Sequence, residues 1–227
     1  MQIEKQPLMV FNNYNKVEIY DDIVIKTFKS KQRLSNEVKF YNIFQNHFNV
    51  PEIKEIDETK LIITYERING TVLSNPDIFR KFDIRNIISI RNKVPLLSGP
   101  TEHNLLTTNL PMVMLKGNLV HGDFRLDNLI VSENGNVYLI DFESGNYLFK
   151  ELDDAYLSLS ISIIDPRKSE EYERIAINNI EEKERLIDGK LIFIRGVLIN
   201  PNIPPKIKSL WLKKEAELKN AIKLLRK

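Results

Sequence analysis

Short apolar segments rich in β-branched and aromatic residues fill the first third of the chain. The segments LMVF, KVEIY and DIVIKTF are separated by the polar clusters NNYN and DD, a pattern typical of strands joined by turns. Apolar residues at helical spacing then run from Arg33 to Phe48, and Pro51 ends this run. Two more strand candidates follow, PEIKEID and KLIITYER. This order predicts a small antiparallel sheet with one helix.

Helical spacing dominates the rest of the chain. It returns in PDIFRKFDIRNIISIRNKV, and LLTTNLPMVMLKG is predicted to be a helix broken by Pro111. Three more helix candidates end the chain: ELDDAYLSLSISII, SEEYERIAINNIEEKERLI and PKIKSLWLKKEAELKNAIKLLRK. Gly70 interrupts the pattern, so we place a lobe boundary just before it. The pattern predicts an α+β protein with an N-terminal sheet lobe, residues 1–68, and a mainly helical C-terminal lobe, residues 69–227.

Composition narrows the class of protein. The chain has 227 residues, 42% of them hydrophobic, which is enough for one large domain or two lobes that share a core. A net charge of +2 with mixed signs indicates neither a nucleic-acid surface nor a polybasic membrane segment. The absence of cysteine excludes thiolate chemistry and fits a reducing compartment. No signal-peptide core and no membrane-length apolar run is present, so we expect a cytoplasmic protein.

The stretch HGDFRLDNLIVSENGNVYLIDFE carries the candidate chemistry. Counted from His121, Asp123 lies two residues further along the chain, Asn128 seven and Asp141 twenty. The intervening NLIV and VYLI, joined through Asn-Gly, predict a β-hairpin. Because Asn128 precedes its first strand and Asp141 closes its second, the hairpin brings these two side chains close together. Their oxygen atoms suit a hard divalent cation such as Mg²⁺. The spacing is that of a kinase catalytic loop and its metal-binding Asp.

With these residues the chain resembles the aminoglycoside phosphotransferase and choline kinase superfamily, the small-molecule branch of the protein-kinase-like fold. That branch has HGD where protein kinases have HRD, and LIDFESGNYLFKELDDAYL is similar to its IDWE…DLA stretch. The resemblance is strong from about Leu119 to Leu157, fair from Val17 to Leu73 and weak elsewhere. It implies a bilobal fold, ATP and Mg²⁺ as cofactors, and transfer of the γ-phosphate to a hydroxyl of a small molecule.

The resemblance assigns roles to the acidic residues of the C-terminal lobe. Asp123 matches the catalytic base, which accepts the proton of the attacking hydroxyl or orients it. Asn128 and Asp141 match the residues that hold Mg²⁺ against the phosphates. Asp153 lies at the spacing of an Asp that braces the catalytic loop by hydrogen bonds. Glu143, two residues after Asp141, is expected to approach the metal or the substrate.

Two other residues of the loop have open interpretations. Arg125 occupies a position from which a cation could reach the transferred phosphate, and it is a candidate catalytic residue. Alternatively it is a surface arginine paired with Asp127. His121 is expected to be structural and to pack beneath the loop, although it could take part in catalysis.

In the N-terminal lobe a buried cation is the main signal. Lys26 lies within the apolar segment IVIKTF, and a lysine inside such a strand must reach an anion. It matches the family's ATP lysine, with the more polar position Lys29 as the alternative. Glu37 matches the helix glutamate that holds this lysine, although a surface glutamate in a first helical turn is also common. In LIITYERINGTVL, the Glu66 C=O and the Ile68 N–H match the backbone groups that face adenine.

Departures from the family pattern leave the function partly open. Residues 1–69 contain no glycine, so NNYN, residues 12–15, is the expected turn over the phosphates. The mixed, slightly basic C-terminal segment weakly disfavours an aminoglycoside acceptor, and the candidate acceptors are amino alcohols, sugars and aminoglycosides. The alternatives are a compact atypical protein kinase and a nucleotide-binding regulatory pseudokinase. HGD and DFE argue against the first, and the complete set of catalytic residues argues against the second.

Overall fold

Five antiparallel strands form the N-terminal sheet of the computed structural model, which describes residues 6–12, 15–101, 116–200 and 203–225. The strands are β1 (Met9–Asn12), β2 (Lys16–Ile19), β3 (Ile23–Thr27), β4 (Ile53–Asp57) and β5 (Ile62–Glu66). Their order in the sheet is β1-β2-β3-β5-β4. The central strand β3 therefore pairs on both sides, and its Lys26 lies opposite Val17 on β2 and Ile63 on β5.

Helix α1 (Lys31–Phe44) follows β3 and begins and ends a little earlier than the apolar pattern predicted. Its start is fixed by Ser30, whose side chain accepts a hydrogen bond from the Arg33 N–H at 3.3 Å. Phe48 is buried at the end of a turn that follows the helix, with its ring 6.0 Å from that of Phe44. The apolar spacing therefore extended past the helix because a turn residue also enters the core.

Two three-stranded sheets follow. One contains β6 (Gly70–Val72), β9 (Leu129–Ser132) and β10 (Val137–Leu139), and the other contains β7 (Ser98–Pro100), β8 (Lys116–Val120) and β11 (Asn146–Leu148). The predicted hairpin is the antiparallel pair β9–β10. Strands β6, β7, β8 and β11 were not predicted, since none of them is an apolar run bounded by polar turn residues.

Within the described residues, six further α-helices make up most of the remainder: α2 (Pro76–Phe79), α3 (Ile84–Arg91), α4 (Glu151–Ile164), α5 (Pro166–Ala176), α6 (Ile180–Ile199) and α7 (Pro205–Leu225). The prediction of one helix over SEEYERIAINNIEEKERLI was wrong. The chain breaks there because the Asn179 side chain caps α6 by accepting from the Glu182 N–H at 2.8 Å. The broken helix predicted in LLTTNLPMVMLKG lies outside the described residues, apart from its last two, which belong to β8.

One hydrophobic core joins the small sheet to the following segments. It includes Phe40 and Phe44 of α1, Phe124 and Leu129 near the hairpin, and Leu157 of α4. The small antiparallel sheet and mostly helical remainder confirm the predicted α+β class. In the described part of the chain, no helix combines the length and the hydropathy that a membrane crossing requires.

Candidate active site

The loop HGDFRLDN connects β8 to β9, and a residue of α4 fixes its backbone. The backbone N–H groups of His121 and Gly122 both donate to the carboxylate of Asp153, each at 2.9 Å. Asp153 is fully buried in the first turn of α4. Gly122 adopts φ +80, a left-handed conformation that favours glycine and lets two consecutive amides face one carboxylate. Asp153 therefore braces the loop, as the sequence predicted.

His121 is a structural residue of this loop. Its buried ring packs against Phe44, Phe124 and Phe142, with ring centroids 5.4–5.8 Å apart. Nε2 lies 3.1 Å from the Ile140 carbonyl oxygen, and Nδ1 accepts from the Asp123 N–H at 3.4 Å. This pairing requires the neutral ring with its proton on Nε2. Burial lowers the pKa of His121, in the direction that keeps the ring neutral.

Asp123 is held by two neighbours in the loop. Arg125 donates to both of its carboxylate oxygens, from Nε at 2.7 Å and from an Nη at 3.0 Å. Arg125 lies farther from Asp127, at 3.6 Å. Its main partner is thus the predicted base Asp123 rather than Asp127, and its approach to the transferred phosphate stays a prediction. The Asn128 side-chain amide donates to the Asp123 carbonyl at 2.8 Å and to its carboxylate at 3.0 Å.

Asn128 and Asp141, the predicted metal ligands, lie on adjacent chain segments. The Ile140 N–H donates to the Asn128 carbonyl at 3.1 Å, just beyond the β9–β10 pairing. Asp141 has φ +70 and ψ +69, a conformation that non-glycine residues rarely adopt. The turn takes its side chain towards the small sheet, where it contacts Lys26. Because the Asn128 amide nitrogen faces Asp123, its Oδ1 is the atom left to act as a ligand.

Lys26 connects the small sheet with both α1 and the Asp141 turn. Its ammonium lies 2.6 Å from an Asp141 carboxylate oxygen and 3.0 Å from a Glu37 oxygen. Tyr65 on β5 donates its hydroxyl to the other Glu37 oxygen at 2.7 Å. Lys26, Glu37 and Tyr65 are all buried, whereas Lys29 is exposed. The structure thus forms the expected Lys26–Glu37 ion pair from the central strand and the helix.

The charged groups of this cluster shift one another's pKa values. Burial opposes the charged form of Lys26, but Asp141, Glu37 and Glu143 raise its pKa well above the ordinary value. Burial raises the pKa of Glu37, although Lys26 and the Tyr65 hydroxyl favour its charged form. Burial alone would raise the pKa of Asp141, but the adjacent Lys26 ammonium holds it below the usual value. The lysine is therefore the shared counterion of Glu37 and Asp141.

Glu143 is a further member of the cluster. The carboxylates of Glu37, Asp141 and Glu143 offer oxygen atoms within 4.8 Å of one another, a spacing compatible with a bound cation. The Lys26 ammonium already lies among them, 4.0 Å from Glu143. The sequence placed Glu143 near the metal or the substrate but did not indicate its partners, which are Asn15, just before β2, and Arg33 on α1.

Asp154, next to the bracing Asp153, has a separate structural role. It forms an ion pair with Arg91 at 3.1 Å and accepts the Tyr172 hydroxyl at 2.6 Å. A cavity of about 380 Å³ adjoins these residues between α3, α4 and α5. None of the predicted site residues lines this cavity. The cavity is therefore separate from the predicted site residues Lys26, Asp123 and Asp141.

The predicted adenine-binding groups lie at the end of β5, directly after Tyr65. β5 ends at Glu66, whose N–H donates to the Glu52 carbonyl at 2.8 Å and whose side chain accepts from the Glu52 N–H at 3.1 Å. Ile68 lies in the connection to β6 and is half-buried. Their contacts with adenine stay a prediction. Within the predicted turn NNYN, Asn13 and Tyr14 lie outside the described residues.

Solved structures of similar fold were found, whereas no protein-family model and no curated protein sequence matches the chain. A choline/ethanolamine kinase family protein from Mesorhizobium loti matches with a TM-score of 0.60 and 14% identity, over 99% of this chain and 89% of that one. The aminoglycoside phosphotransferase APH(3'')-Id from Streptomyces rimosus matches with a TM-score of 0.60 and 13% identity, over 80% of this chain and 90% of that one.

The chain has the fold of choline kinases and aminoglycoside phosphotransferases. Amicoumacin kinase hAmiN, solved with AMP-PNP, Ca²⁺ and its ligand, also shares this kinase-like fold, with a TM-score of 0.59 and 12% identity over 96% of this chain and 89% of that one. At such identities the likeness establishes the fold, and the chemistry must be argued from the residues.

Proposed function

We propose that this protein is an ATP- and Mg²⁺-dependent phosphotransferase that moves the γ-phosphate to a hydroxyl group of a small molecule. The main support is that Lys26 and Asp141, separated by 115 residues in sequence, meet at 2.6 Å. Glu37 pairs with the same Lys26, and Asn128 donates to Asp123 at the start of the hairpin that leads to Asp141, which further supports the proposal. The similar structures are small-molecule kinases, which favours this reaction over phosphorylation of proteins.

The donor set fits a hard divalent cation. Asn128 Oδ1 and the carboxylate of Asp141 would hold it, and the Asp141 side chain is 34% exposed and thus accessible. When bound, Mg²⁺ supplies charge neutralisation of the β- and γ-phosphates. The similar amicoumacin kinase was solved with Ca²⁺ and a nucleotide analogue, which supports a divalent cation at this fold's nucleotide site.

Lys26 would exchange one of its partners when nucleotide binds. Its ammonium releases Asp141 and donates to the α- and β-phosphates. Glu37 and Tyr65 keep the amine oriented throughout this exchange, because their contacts come from α1 and β5 rather than from the metal-binding turn. The buried Lys26–Glu37 pair thereby presents one positive charge at a fixed point of the sheet.

Asp123 would accept the proton of the attacking hydroxyl. Its carboxylate is 21% exposed, so an acceptor can reach it. Arg125 and Asn128 fix its orientation, which phosphoryl transfer requires more than strong basicity. When the acceptor hydroxyl donates to Asp123, Arg125 gives up one of its two hydrogen bonds and directs that N–H to the transferred phosphate.

We also propose the predicted division of the chain, with residues 1–68 as the nucleotide lobe and residues 69–227 as the catalytic and substrate lobe. The pairing of β6 with β9 supports it, because Gly70–Val72 joins the sheet of the catalytic hairpin. The Glu66 C=O and the Ile68 N–H, which face adenine in this proposal, are the last groups before that boundary.

The decisive experiment replaces the proposed base. ATP consumption is measured against a panel of amino alcohols, sugars and aminoglycosides, first with the wild-type chain and then with Asp123→Asn. We expect the substitution to lower turnover by about 10²–10⁴-fold while Mg²⁺·AMP-PNP still raises the melting temperature. Asp127→Asn, at an exposed position of the same loop, is the matched control. Full turnover of Asp123→Asn would refute the assignment of the base.

A further inference from the structure

The side chain of Glu143 accepts hydrogen bonds from two elements that are distant in sequence. One carboxylate oxygen lies 2.7 Å from an Nη of Arg33 on α1. The other accepts at 2.5 Å from the side-chain amide of Asn15, the last residue of the predicted turn NNYN, just before β2. The Glu143 side chain is 10% exposed, and Asn15 is also buried. One carboxylate therefore connects the turn that carries Asp141, helix α1 and the last residue of the predicted phosphate turn.

The backbone around Glu143 is docked on α1 as well. Asn36 donates from its side-chain amide to the carbonyl oxygens of Glu143 at 2.6 Å and of Gly145 at 3.1 Å. A Cβ atom at Gly145 would lie 2.2 Å from the Phe40 ring, so the turn approaches the helix as closely as glycine allows. The turn that carries Asp141 thus has a fixed position relative to the helix that carries Glu37.

We propose that Glu143 is a positioning residue for nucleotide binding, which ties Asn15 and Arg33 to the turn that carries Asp141. This inference rests on the proposed function, because it concerns the same nucleotide site. The chain contains no glycine before Gly70, so no glycine-rich loop can approach the phosphates through its backbone. A side-chain contact between Asn15 and Glu143 holds the beginning of β2 in place instead.

The charges around residue 143 explain why this residue is a carboxylate with an arginine partner. Glu37, Asp141 and Glu143 contribute three negative charges, and Lys26 and Arg33 contribute two positive ones. Arg33 neutralises the charge of Glu143, so Lys26 remains available to neutralise Glu37 and Asp141. Without Arg33, Glu143 would compete for the Lys26 ammonium at 4.0 Å and repel the phosphates. Glu143 acts through Asn15, Arg33 and Lys26, and no contact with the reacting atoms is assigned to it.

The test measures the Kd of Mg²⁺·AMP-PNP by calorimetry, which needs no knowledge of the acceptor. Glu143→Ala should weaken binding on the order of tenfold or more, because it removes two hydrogen bonds to a charged group. Glu143→Gln should recover part of the affinity, since an amide oxygen still accepts from Arg33. In the Glu143→Ala background, Arg33→Met should add little to the loss. Glu133→Gln, an exposed acid on the hairpin turn, should bind like the wild type.

Each result separates this inference from the proposed function. If the wild-type chain does not bind Mg²⁺·AMP-PNP, the proposed function fails and the inference fails with it. If the wild type binds and Glu143→Ala binds equally well, or if the Arg33 and Glu143 effects add independently, the positioning role is refuted. Should Glu143→Ala not fold, Asn15→Asp keeps the side-chain shape and replaces the donor by an acceptor. It should show the same loss, and unchanged affinity would equally overturn the proposal.

Discussion

Removal of the buried cation by Lys26→Met tests the electrostatics of the site in detail. Glu37, whose side chain is 2% exposed, would lose its partner at 3.0 Å and keep the Tyr65 hydroxyl. Asp141 would also lose Lys26, but it is 34% exposed and water can replace the contact. Glu143 keeps Arg33. The cost of the substitution therefore depends mainly on what happens to the Glu37 carboxylate.

The size of this cost depends on which of two states Glu37 adopts in the variant, the charged state without a partner or the protonated state. A buried charge left without its partner costs roughly 3–5 kcal/mol. Alternatively Glu37 binds a proton, at about 1.36 kcal/mol for each pH unit above an unfolded-chain pKa of about 4.3. This second state costs about 3.7 kcal/mol at pH 7 and about 1.0 kcal/mol at pH 5. The loss of unfolding free energy relative to the wild type should thus be about 3–4 kcal/mol at pH 7 and about 1 kcal/mol at pH 5.

The direction of this pH dependence follows from linkage. Burial raises the pKa of Glu37, and removing Lys26 raises it further. A raised carboxyl pKa stabilises the folded state below the unfolded pKa, and this stabilisation is lost as pH rises through the folded pKa. The variant should therefore recover stability on acidification, relative to the wild type at the same pH.

Urea unfolding of both proteins at pH 7 and pH 5 measures the effect, with the free energies extrapolated to water. Lys26→Met/Glu37→Gln is the matched control, because it lacks the titrating group and should show no recovery at pH 5. An equal loss of stability at both pH values would show that Glu37 is not the group that bears the cost. A variant as stable as the wild type at pH 7 would refute the buried-pair argument altogether.

Gly122→Ala and Asp153→Asn test the brace of the catalytic loop, with Gly135→Ala on the hairpin turn as the control. Gly122→Ala and Gly135→Ala place alanine at φ +80 and φ +82, so each should cost about 1–2 kcal/mol in urea unfolding. Only Gly122→Ala should also lower the rate of ATP turnover, and equal activity of the two variants would contradict the loop geometry. Asp153→Asn offers one acceptor where two amides donate, so unfolding free energy should fall by about 1–3 kcal/mol. An unchanged urea midpoint would argue against the brace.

Much of the fold could be predicted from the sequence. The two β strands of the hairpin and the first five strands show apolar runs bounded by polar turns, and α1 shows a helical period, so their order was correct. The misassigned break between α5 and α6 had a local signal, the capping side chain of Asn179. The short strands β6, β7, β8 and β11 had none, because their pairing partners rather than their own residues make them strands.

At the candidate site, the sequence determined which residue types are present and how far apart they lie along the chain. That was enough to predict that Lys26 needs an anion and that the hairpin brings Asn128 and Asp141 together. Tertiary structure decided which charges meet. Arg125 contacts Asp123 rather than Asp127 as its main partner. Glu143 contacts Arg33 across 110 residues and Asn15 across 128. Periodicity reports which faces are buried, whereas a salt bridge depends on distances of a few ångströms that only the packed chain defines.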